Sequence, residues 1–275
     1  MPAKLPVLGL VGEALRDVFG NLAGLVRIAW PYYALAAALV LAGALLASEE
    51  PDGTPTLAGA VAPMLGGGTA ATILSLCALA CIVRWQRHVI LGEPLRGIAP
   101  LNGRVLRYFL WSVALGLSCA MPLAAAGLAG FSAGLITRTP AGETPYAIGM
   151  PGLLLLGAAA LVALALFIRL SLVLPAVSAD DRSMSLRRSW AATRGNGLRL
   201  LGVMVLLALG LGLLGMAAGL LQAALDTAAG GSTGPLAPTS LGGAAVNTAL
   251  DLLTAVIGAS VAAGIYRRLA PASPA

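Results

Sequence analysis

The stretch 166-LFIRLSLVLPAVSADD-181 places one arginine, Arg169, in a sequence that otherwise has the composition of a membrane helix. The fifteen residues before this stretch carry no charge. A charge at the centre of a bilayer is costly, whereas an arginine near a helix end can extend its side chain to the lipid headgroups. We therefore expect Arg169 to mark the end of a membrane-spanning helix. A buried functional charge is the alternative.

The whole chain has the composition of an integral membrane protein. Of its 275 residues, 59% are hydrophobic and 10% are charged, whereas a soluble domain carries about 25% charged residues. The basic residues lie between the hydrophobic runs, so we interpret them as topology signals and expect no nucleic-acid partner. Cys77, Cys81 and Cys119 all lie in apolar runs and are expected to pack as small hydrophobic residues.

Six apolar runs are long enough to cross a bilayer, which takes about 20 helical residues. We predict an all-α polytopic protein in which residues 1–275 form a single integral membrane domain. The first run is longer than the core of a signal peptide, so we expect it to be retained. The predicted spans are residues 28–47, 62–83, 108–136, 150–175, 198–225 and 244–265.

The segments between these spans alternate in charge. Sixteen of the 17 basic residues lie in the N-terminus, the second loop, the fourth loop with its edge, or the C-terminal tail, and only Arg138 lies in the other loops. Because short basic loops stay in the cytoplasm, both termini and the two arginine-rich loops are predicted to face the cytoplasm of a bacterial inner membrane. Trp30, Trp85 and Trp111 lie near the predicted cytoplasmic boundary and are expected at the headgroups.

The helix boundaries show a weak threefold repeat. At the cytoplasmic exits of the even-numbered spans, an arginine follows two apolar residues, and these expected helix-end anchors are Arg84, Arg169 and Arg267. An asparagine precedes each odd-numbered span, at Asn21, Asn102 and Asn196. We therefore predict three pseudo-repeated helical hairpins, each introduced by a cytoplasmic interfacial segment.

Two of these interfacial segments are predicted to be helices, over residues 6–27 and 181–195. The first has one apolar face and should lie flat on the inner leaflet. That face consists of Val7, Val11, Ala14, Val18, Leu22 and Leu25. In the second, Asp180, Asp181 and Ser183 suit the N-terminus and Gly195 suits the end.

The motif PAVSADDRSMSLRRSWAATRGNGLRLLGV, residues 175–203, carries a family resemblance. It is similar to the repeat-bearing six-helix membrane proteins related to the membrane domain of glycerophosphodiester phosphodiesterases. The resemblance implies a bacterial inner-membrane location. It does not imply phosphodiesterase activity, because no segment of this chain is polar enough to encode the soluble domain that some of these relatives carry.

The sequence offers no pattern of catalytic or metal-binding residues. There is no GxSxG, HExxH or Walker A pattern. His88, the single histidine, lies on a helical stripe with Cys77 and Cys81, but it is about 10 Å beyond Cys81 along the axis, out of reach of one shared metal. We therefore predict no catalytic residues, no metal site and no cofactor.

Two polar surfaces remain as candidate sites. The inner face is expected to contact anionic lipid headgroups. The candidate residues are Arg182, Arg187, Arg188, Trp190 and Arg194. The outer end of the third hairpin is the second candidate, an intramembrane polar site, because ionisable residues inside spans are rare and often functional. Its residues are Gln222, Asp226, Asn247, Asp251 and Thr254.

The leading hypothesis for function is a non-enzymatic inner-membrane protein that organises the envelope or the membrane. Its expected partners are anionic lipids on the cytoplasmic side, and a protein partner or a second copy of the chain stays an open alternative. A second hypothesis is a small transporter or channel that uses the polar residues of spans five and six. A third, weaker hypothesis is a lipid-modifying membrane enzyme.

Overall fold

The described part of the chain folds into a bundle of α-helices with one short β-ribbon. The computed structural model describes residues 5–48, 70–138, 146–228 and 238–270. The elements in these segments are α1 (Val7–Gly20), α2 (Leu22–Ser48), α3 (Ala70–Leu91), α4 (Gly103–Ser132), β1 (Ile136–Arg138), β2 (Tyr146–Ile148), α5 (Met150–Leu170), α6 (Val173–Ser178), α7 (Leu186–Ala192), α8 (Gly197–Ala228) and α9 (Pro238–Leu269).

The predicted asparagines stand at helix starts. Asn21, Asn102 and Asn196 each immediately precede a long helix, namely α2, α4 and α8. Asn102 is a conventional N-cap, because its Oδ1 accepts hydrogen bonds from the backbone N–H groups of Arg104 and Val105 at 3.1 and 3.2 Å. Asn21 instead donates its side-chain N–H to the carbonyl of Asp17 at 2.9 Å. The same residue type therefore begins these helices through different contacts.

Long helices overlap each of the six predicted apolar runs. Within the described residues, four segments are long and apolar enough to cross a membrane. They are Gly103–Ser132, Met150–Ser178, Gly197–Ala224 and Ala249–Leu269. The second predicted span differs most from its helix: residues 62–69 lie outside the described residues, and α3 continues past Val83 to Leu91. The added turns carry polar side chains that bind other parts of the protein.

The three helix-end arginines differ in position. Arg169 lies in the last turn of α5, and Arg267 lies in the last turn of α9. Arg84 does not lie at the end of α3, which continues for seven more residues. Its guanidinium donates hydrogen bonds to the carbonyls of Pro94 and Arg96 at 3.1 and 3.3 Å. These contacts hold the following loop against α3. Arg84 therefore binds the protein's own backbone and does not mark the end of the helix.

Helix α9 lies at the centre of the bundle. In the most apolar 18 residues of α9, 56% of the residues are buried, against 11 to 17% in the corresponding parts of the other three candidate spans. It packs against its neighbour α8 and also against α1 and α3, while α2 pairs with α3 and α4 pairs with α5. Since α4, α5 and α8 expose most of their apolar side chains, their outer faces suit a lipid environment.

Trp85 corrects the predicted position of an aromatic residue. The sequence placed it among the rings at the headgroups, but its side chain is 0% exposed between α3 and α9. Its indole N–H donates to the Ser260 hydroxyl at 2.6 Å. The amphipathic ring therefore satisfies its polar group inside the protein. Trp30, by contrast, is 59% exposed.

Helix α1 also differs from the prediction of a helix lying flat on the leaflet. Its Leu10, Ala14 and Val18 are buried against the bundle, and the side chain of Leu10 lies beside Gly264 of α9. The apolar face thus covers the ends of α8 and α9. Within the predicted face, Ala14 and Val18 are buried against protein, whereas Leu22 is 39% exposed and lies beyond the end of the helix at Gly20.

Polar contacts bring the predicted cytoplasmic segments together at one end of the bundle. Arg268 of α9 donates to both carboxylate oxygens of Glu13 in α1, at 2.7 and 2.8 Å. The Arg199 guanidinium at the start of α8 donates to the carbonyl of Leu5 at 3.4 Å. We call this end, formed by α1, residues 92–102 and residues 179–196, the basic end.

The opposite turn, between α4 and α5, contains a β-ribbon that the sequence did not predict. Ile136 pairs with Ile148 and Arg138 with Tyr146 in antiparallel register. Gly134 lies after the end of α4 with φ of +69°. Glycine suits this left-handed conformation, because a side chain there would be strained.

Gly152 supports a tight contact between this ribbon and α5. A Cβ atom on Gly152 would lie 2.8 Å from the Leu135 carbonyl oxygen and 3.1 Å from Ile148 Cγ2, whereas one on Gly157 would meet nothing within 4 Å. We expect Gly152→Ala to lower the free energy of unfolding by about 1 to 3 kcal/mol, as overpacking does. The matched control Gly157→Ala should be neutral or stabilise by up to about 1 kcal/mol.

Thermal unfolding in detergent measures the stability of both alanine variants. A thiol-reactive fluorophore can report it, because Cys77 and Cys81 are only 3% and 2% exposed in the folded chain. Equal melting temperatures for the two alanine variants would contradict the proposed close contact.

Candidate functional site

The basic end contains an ion-pair cluster that links three separate parts of the chain. Arg87 of α3 binds Glu93 in the following loop and also donates to Asp180 Oδ2 at 3.0 Å. Arg104 of α4 donates from Nε to both oxygens of Asp180, at 3.0 and 2.9 Å. We call Arg87, Glu93, Arg104 and Asp180 the central cluster. It connects α3 and α4 to the loop after α6.

The backbone around the central cluster is also fixed. Arg87 donates to the carbonyl of Ser178, a fully buried residue, at 2.9 Å. Asp180 has φ of +60°, a left-handed conformation that is uncommon outside glycine. His88 contacts the carbonyl oxygen of Glu93 through Nδ1 at 2.7 Å, so this ring nitrogen acts as the donor. The arginine contacts therefore stabilise a strained turn at the end of α6.

The charges in the central cluster favour ionised carboxylates. The hydrogen bond from Arg87 holds the pKa of Glu93 below its ordinary value of 4.5, against the opposing effect of burial. The hydrogen bond from Arg104 holds the pKa of Asp180 below its ordinary value of 3.8. Burial raises the pKa of Asp181, but hydrogen bonds from Tyr266 and Ser183 outweigh this effect and lower it overall. The Tyr266 hydroxyl donates to Asp181 Oδ2 at 2.6 Å.

A second group of arginines at this end lies exposed. Within the described chain, the side chains of Arg182, Arg187 and Arg194 form no ion pair. Arg188 donates to the carbonyl of Ser183 at 2.9 Å and is also exposed. The four arginines among the five predicted headgroup contacts therefore present their charge to the surroundings, whereas the arginines of the central cluster are paired with carboxylates of the protein.

The short helix α7 carries two of the exposed arginines, Arg187 and Arg188, and packs against α5. Ser185 is its N-cap, accepting the backbone N–H of Arg188 at 3.3 Å, so the predicted capping by Asp180, Asp181 and Ser183 is wrong. Those acids bind Arg104 and Tyr266 instead. Gly195 has φ of +81° in the turn after α7. The buried Ser189 hydroxyl donates to the carbonyl of Arg169 at 2.6 Å.

Arg169 lies at the junction of α5, α7 and α8. Its guanidinium carbon is 4.7 Å from the centre of the Trp190 ring, which is the geometry of a cation–π contact. Trp190 is 40% exposed. Below this pair, α5 and α8 enclose an apolar crevice of about 180 Å³, lined by leucine and alanine side chains and by Ile168, Arg169 and Gly197.

The predicted intramembrane polar site is only partly described. The side chains of Asp226 and Asn247 lie outside the described part of the chain. Asp251 is exposed and Thr254 is half-buried on the same helix, and Gln222 of α8 is also half-buried. A larger apolar groove of about 420 Å³ lies between α2 and α9; Tyr33, Leu252 and Leu253 line it, and Asp251 does not.

Sequence inspection missed the members of the central cluster. Arg87, Arg104 and Asp180 were visible only as topology or capping signals, and Glu93 was not singled out. The available signal was the presence of acids within basic segments that otherwise carry an excess of arginine. Nothing in the sequence pairs Arg87 with Asp180, which lies 93 residues away.

The family described as Domain of unknown function (DUF7847) matches residues 11–269. The chain belongs to this family. The DUF7847 match begins within α1 and ends with the last residue of α9, so it includes the central cluster and all four candidate membrane spans. Comparisons with curated proteins and with solved structures gave no match.

Proposed function

We propose that this DUF7847 protein is a non-enzymatic, six-span protein of the bacterial inner membrane that organises the membrane through anionic lipids at its basic end. The observation that carries the proposal is the division of the arginines into a paired central cluster and an exposed group on residues 182–194. A structural role accounts for the first group. The second group has its charges available to lipid phosphates.

The proposed topology follows from the charge of the basic end. Its arginine excess favours the cytoplasmic side, where anionic lipids attract basic residues. Both termini then face the cytoplasm, and α2 and α3 add two spans to the four apolar candidates. The similarity to the membrane domain of glycerophosphodiester phosphodiesterases stays a prediction. It agrees with this location and contributes no activity.

Neutralising the exposed arginines tests the proposal. We expect the combined variant Arg182→Gln, Arg187→Gln, Arg188→Gln and Arg194→Gln to lose most of the preference for phosphatidylglycerol over phosphatidylcholine. Each basic residue near an anionic surface contributes about 1 kcal/mol, so the preference should fall at least roughly tenfold. Native mass spectrometry of the full chain from nanodiscs containing equal amounts of both lipids measures the ratio of retained lipids.

The matched control replaces the same four arginines by lysine. It keeps the charge and should keep most of the preference, because long-range attraction to the surface depends on charge. If the glutamine variant retained the wild-type lipid ratio, the exposed arginines would not be lipid contacts.

Transport is a second candidate function, favoured by one observation. The exposed residue Asp251 lies in the candidate span Ala249–Leu269, where ionisable residues are costly, rare and often functional. Solute flux into proteoliposomes that is lost in Asp251→Asn would support transport over the organising role. Lipid turnover by the purified protein would support the lipid-modifying enzyme instead.

A further inference from the structure

The crevice between α5 and α8 combines an apolar interior with a single cation at one end. Its walls are Leu161, Leu164, Ala165, Ile168, Leu198 and Leu201, and Arg169 stands beside Gly197. Of the lining leucines, Leu161 and Leu198 are 68% and 86% exposed. The crevice therefore opens towards the surroundings of two candidate membrane spans.

Arg169 has the charge to bind an anion here. Within the described residues no carboxylate lies within salt-bridge distance of it. Its one cation–π partner, Trp190, holds the guanidinium plane without neutralising it. A planar guanidinium fixed in this way can donate two parallel hydrogen bonds to a phosphate.

The dimensions fit an amphipathic ligand. Leu161 precedes Arg169 by eight residues on α5, which is about 12 Å of helix. The charged end lies at the basic end of the bundle, in the last turn of α5. An occupant must therefore be anionic at the membrane surface and apolar for about 12 Å into the bilayer.

We propose that this crevice is a specific binding site for one anionic phospholipid, with its phosphate on Arg169 and an acyl chain between α5 and α8. Charge complementarity favours this occupant over a second copy of the chain. A second copy would need an unengaged carboxylate, and four of the five acids of the basic end, all but Asp17 of α1, are already bound within the chain. These are Glu13, Glu93, Asp180 and Asp181.

The site also explains the local sequence Arg188-Ser189-Trp190. Ser189 binds the backbone of Arg169, and Trp190 stacks on its side chain. The motif thus positions the one arginine that the crevice needs, while the exposed arginines around it attract anionic lipid in general. The proposal rests on the proposed function and adds to it a single selective site.

Substitution of Arg169 tests the charged end of the site. Full-length protein in nanodiscs of equal phosphatidylglycerol and phosphatidylcholine should retain one phosphatidylglycerol molecule through native mass spectrometry. Arg169→Gln should reduce this retention roughly tenfold, because a hydrogen bond to a charged group is lost. Arg169→Lys should retain an intermediate amount. Arg267→Gln is the control at a second helix-end arginine, which is exposed where Arg169 is half-buried, and it should change retention less than about twofold.

Filling the crevice tests the apolar end with all charges intact. Ala160 and Ala165 are both exposed on α5, but only Ala165 lines the crevice. We expect Ala165→Phe to displace the bound lipid and Ala160→Phe to leave it in place. If the two phenylalanine variants have comparable melting temperatures, a difference in their retained lipid is caused by the filled crevice and not by unfolding.

The outcomes separate this inference from the broader proposal. If the wild type shows no preference for phosphatidylglycerol, both fail. If that preference is lost in the four-glutamine variant but unchanged in Arg169→Gln or in Ala165→Phe, the specific site is wrong and the organising role stands. Conversion of a wild-type dimer to monomers by Arg169→Gln, without a change in retained lipid, would identify a second copy as the occupant and overturn the lipid site.

Discussion

Trp85→Ala is expected to lower the free energy of unfolding by about 3 kcal/mol, at the lower end of the range for buried tryptophan. Its side chain is fully buried between α3 and the central helix α9. In a micelle or bilayer the separated helices still have apolar surroundings, so the loss comes from packing and from the hydrogen bond more than from transfer to water. Reversible unfolding with sodium dodecyl sulfate, followed by thiol reactivity, measures the change.

Two further variants separate the contributions at this position. Trp85→Phe keeps most of the volume and removes the N–H donor to Ser260, so we expect a loss of about 1 kcal/mol. Ser260 still donates to the Val256 carbonyl at 2.9 Å and is not left without a partner. Trp30→Ala is the control at an exposed tryptophan and should cost less than about 1 kcal/mol. Equal losses in Trp85→Ala and Trp30→Ala would show that Trp85 is not a structural residue.

Local signals in the sequence predicted the helices well. The apolar runs placed the long helices, and Asn21, Asn102 and Asn196 each fall directly before one of them. Arg169 was predicted to mark a helix end and lies in the last turn of α5. These features depend on residues within one or two turns of each other, through capping, periodicity and hydropathy.

Contacts between distant segments were not predictable in the same way. Trp85 has the amphipathic ring typical of a membrane boundary, but its partner Ser260 is 175 residues away. The apolar face of α1 was correctly periodic, yet periodicity cannot distinguish a lipid surface from the ends of α8 and α9. Asp180 is also a residue type that suits a helix N-terminus, but in the folded chain it binds two arginines. In each case the local sequence does not show which distant segment the residue will contact.

Arg87→Met should also be strongly destabilising, by about 2 to 3 kcal/mol at neutral pH. The substitution removes charged hydrogen bonds to Glu93 and Asp180, each contributing about 1.5 to 3 kcal/mol when well formed. It also leaves the buried carbonyl of Ser178 without its Arg87 donor. Arg104 and Arg84 still attract the two acids, so the loss stays below the sum of the separate bonds. Denaturant unfolding of the purified protein at pH 7 measures it.

Arg107→Met is the matched control, because Arg107 is exposed on α4 and forms no ion pair within the described residues. It should change the free energy of unfolding by less than about 0.5 kcal/mol. Arg87→Lys keeps the charge but not the geometry that reaches Glu93, Asp180 and Ser178 together, so an intermediate loss is expected. An Arg87→Met variant as stable as Arg107→Met would exclude a structural role for the central cluster.

The pH dependence of the Arg87→Met effect provides a stricter test of its electrostatic origin. The pKa values of Glu93 and Asp180 are lowered in the folded chain from 4.5 and 3.8, so the unfolded chain binds more protons in acid. The stabilisation is therefore complete above about pH 5 and is lost as the pH falls through the lowered folded values. Arg87→Met moves the pKa of Glu93 back towards 4.5, so its stability difference from wild type should shrink between about pH 5 and pH 3. A difference that stayed constant over this interval would instead assign the loss to packing of the Arg87 side chain.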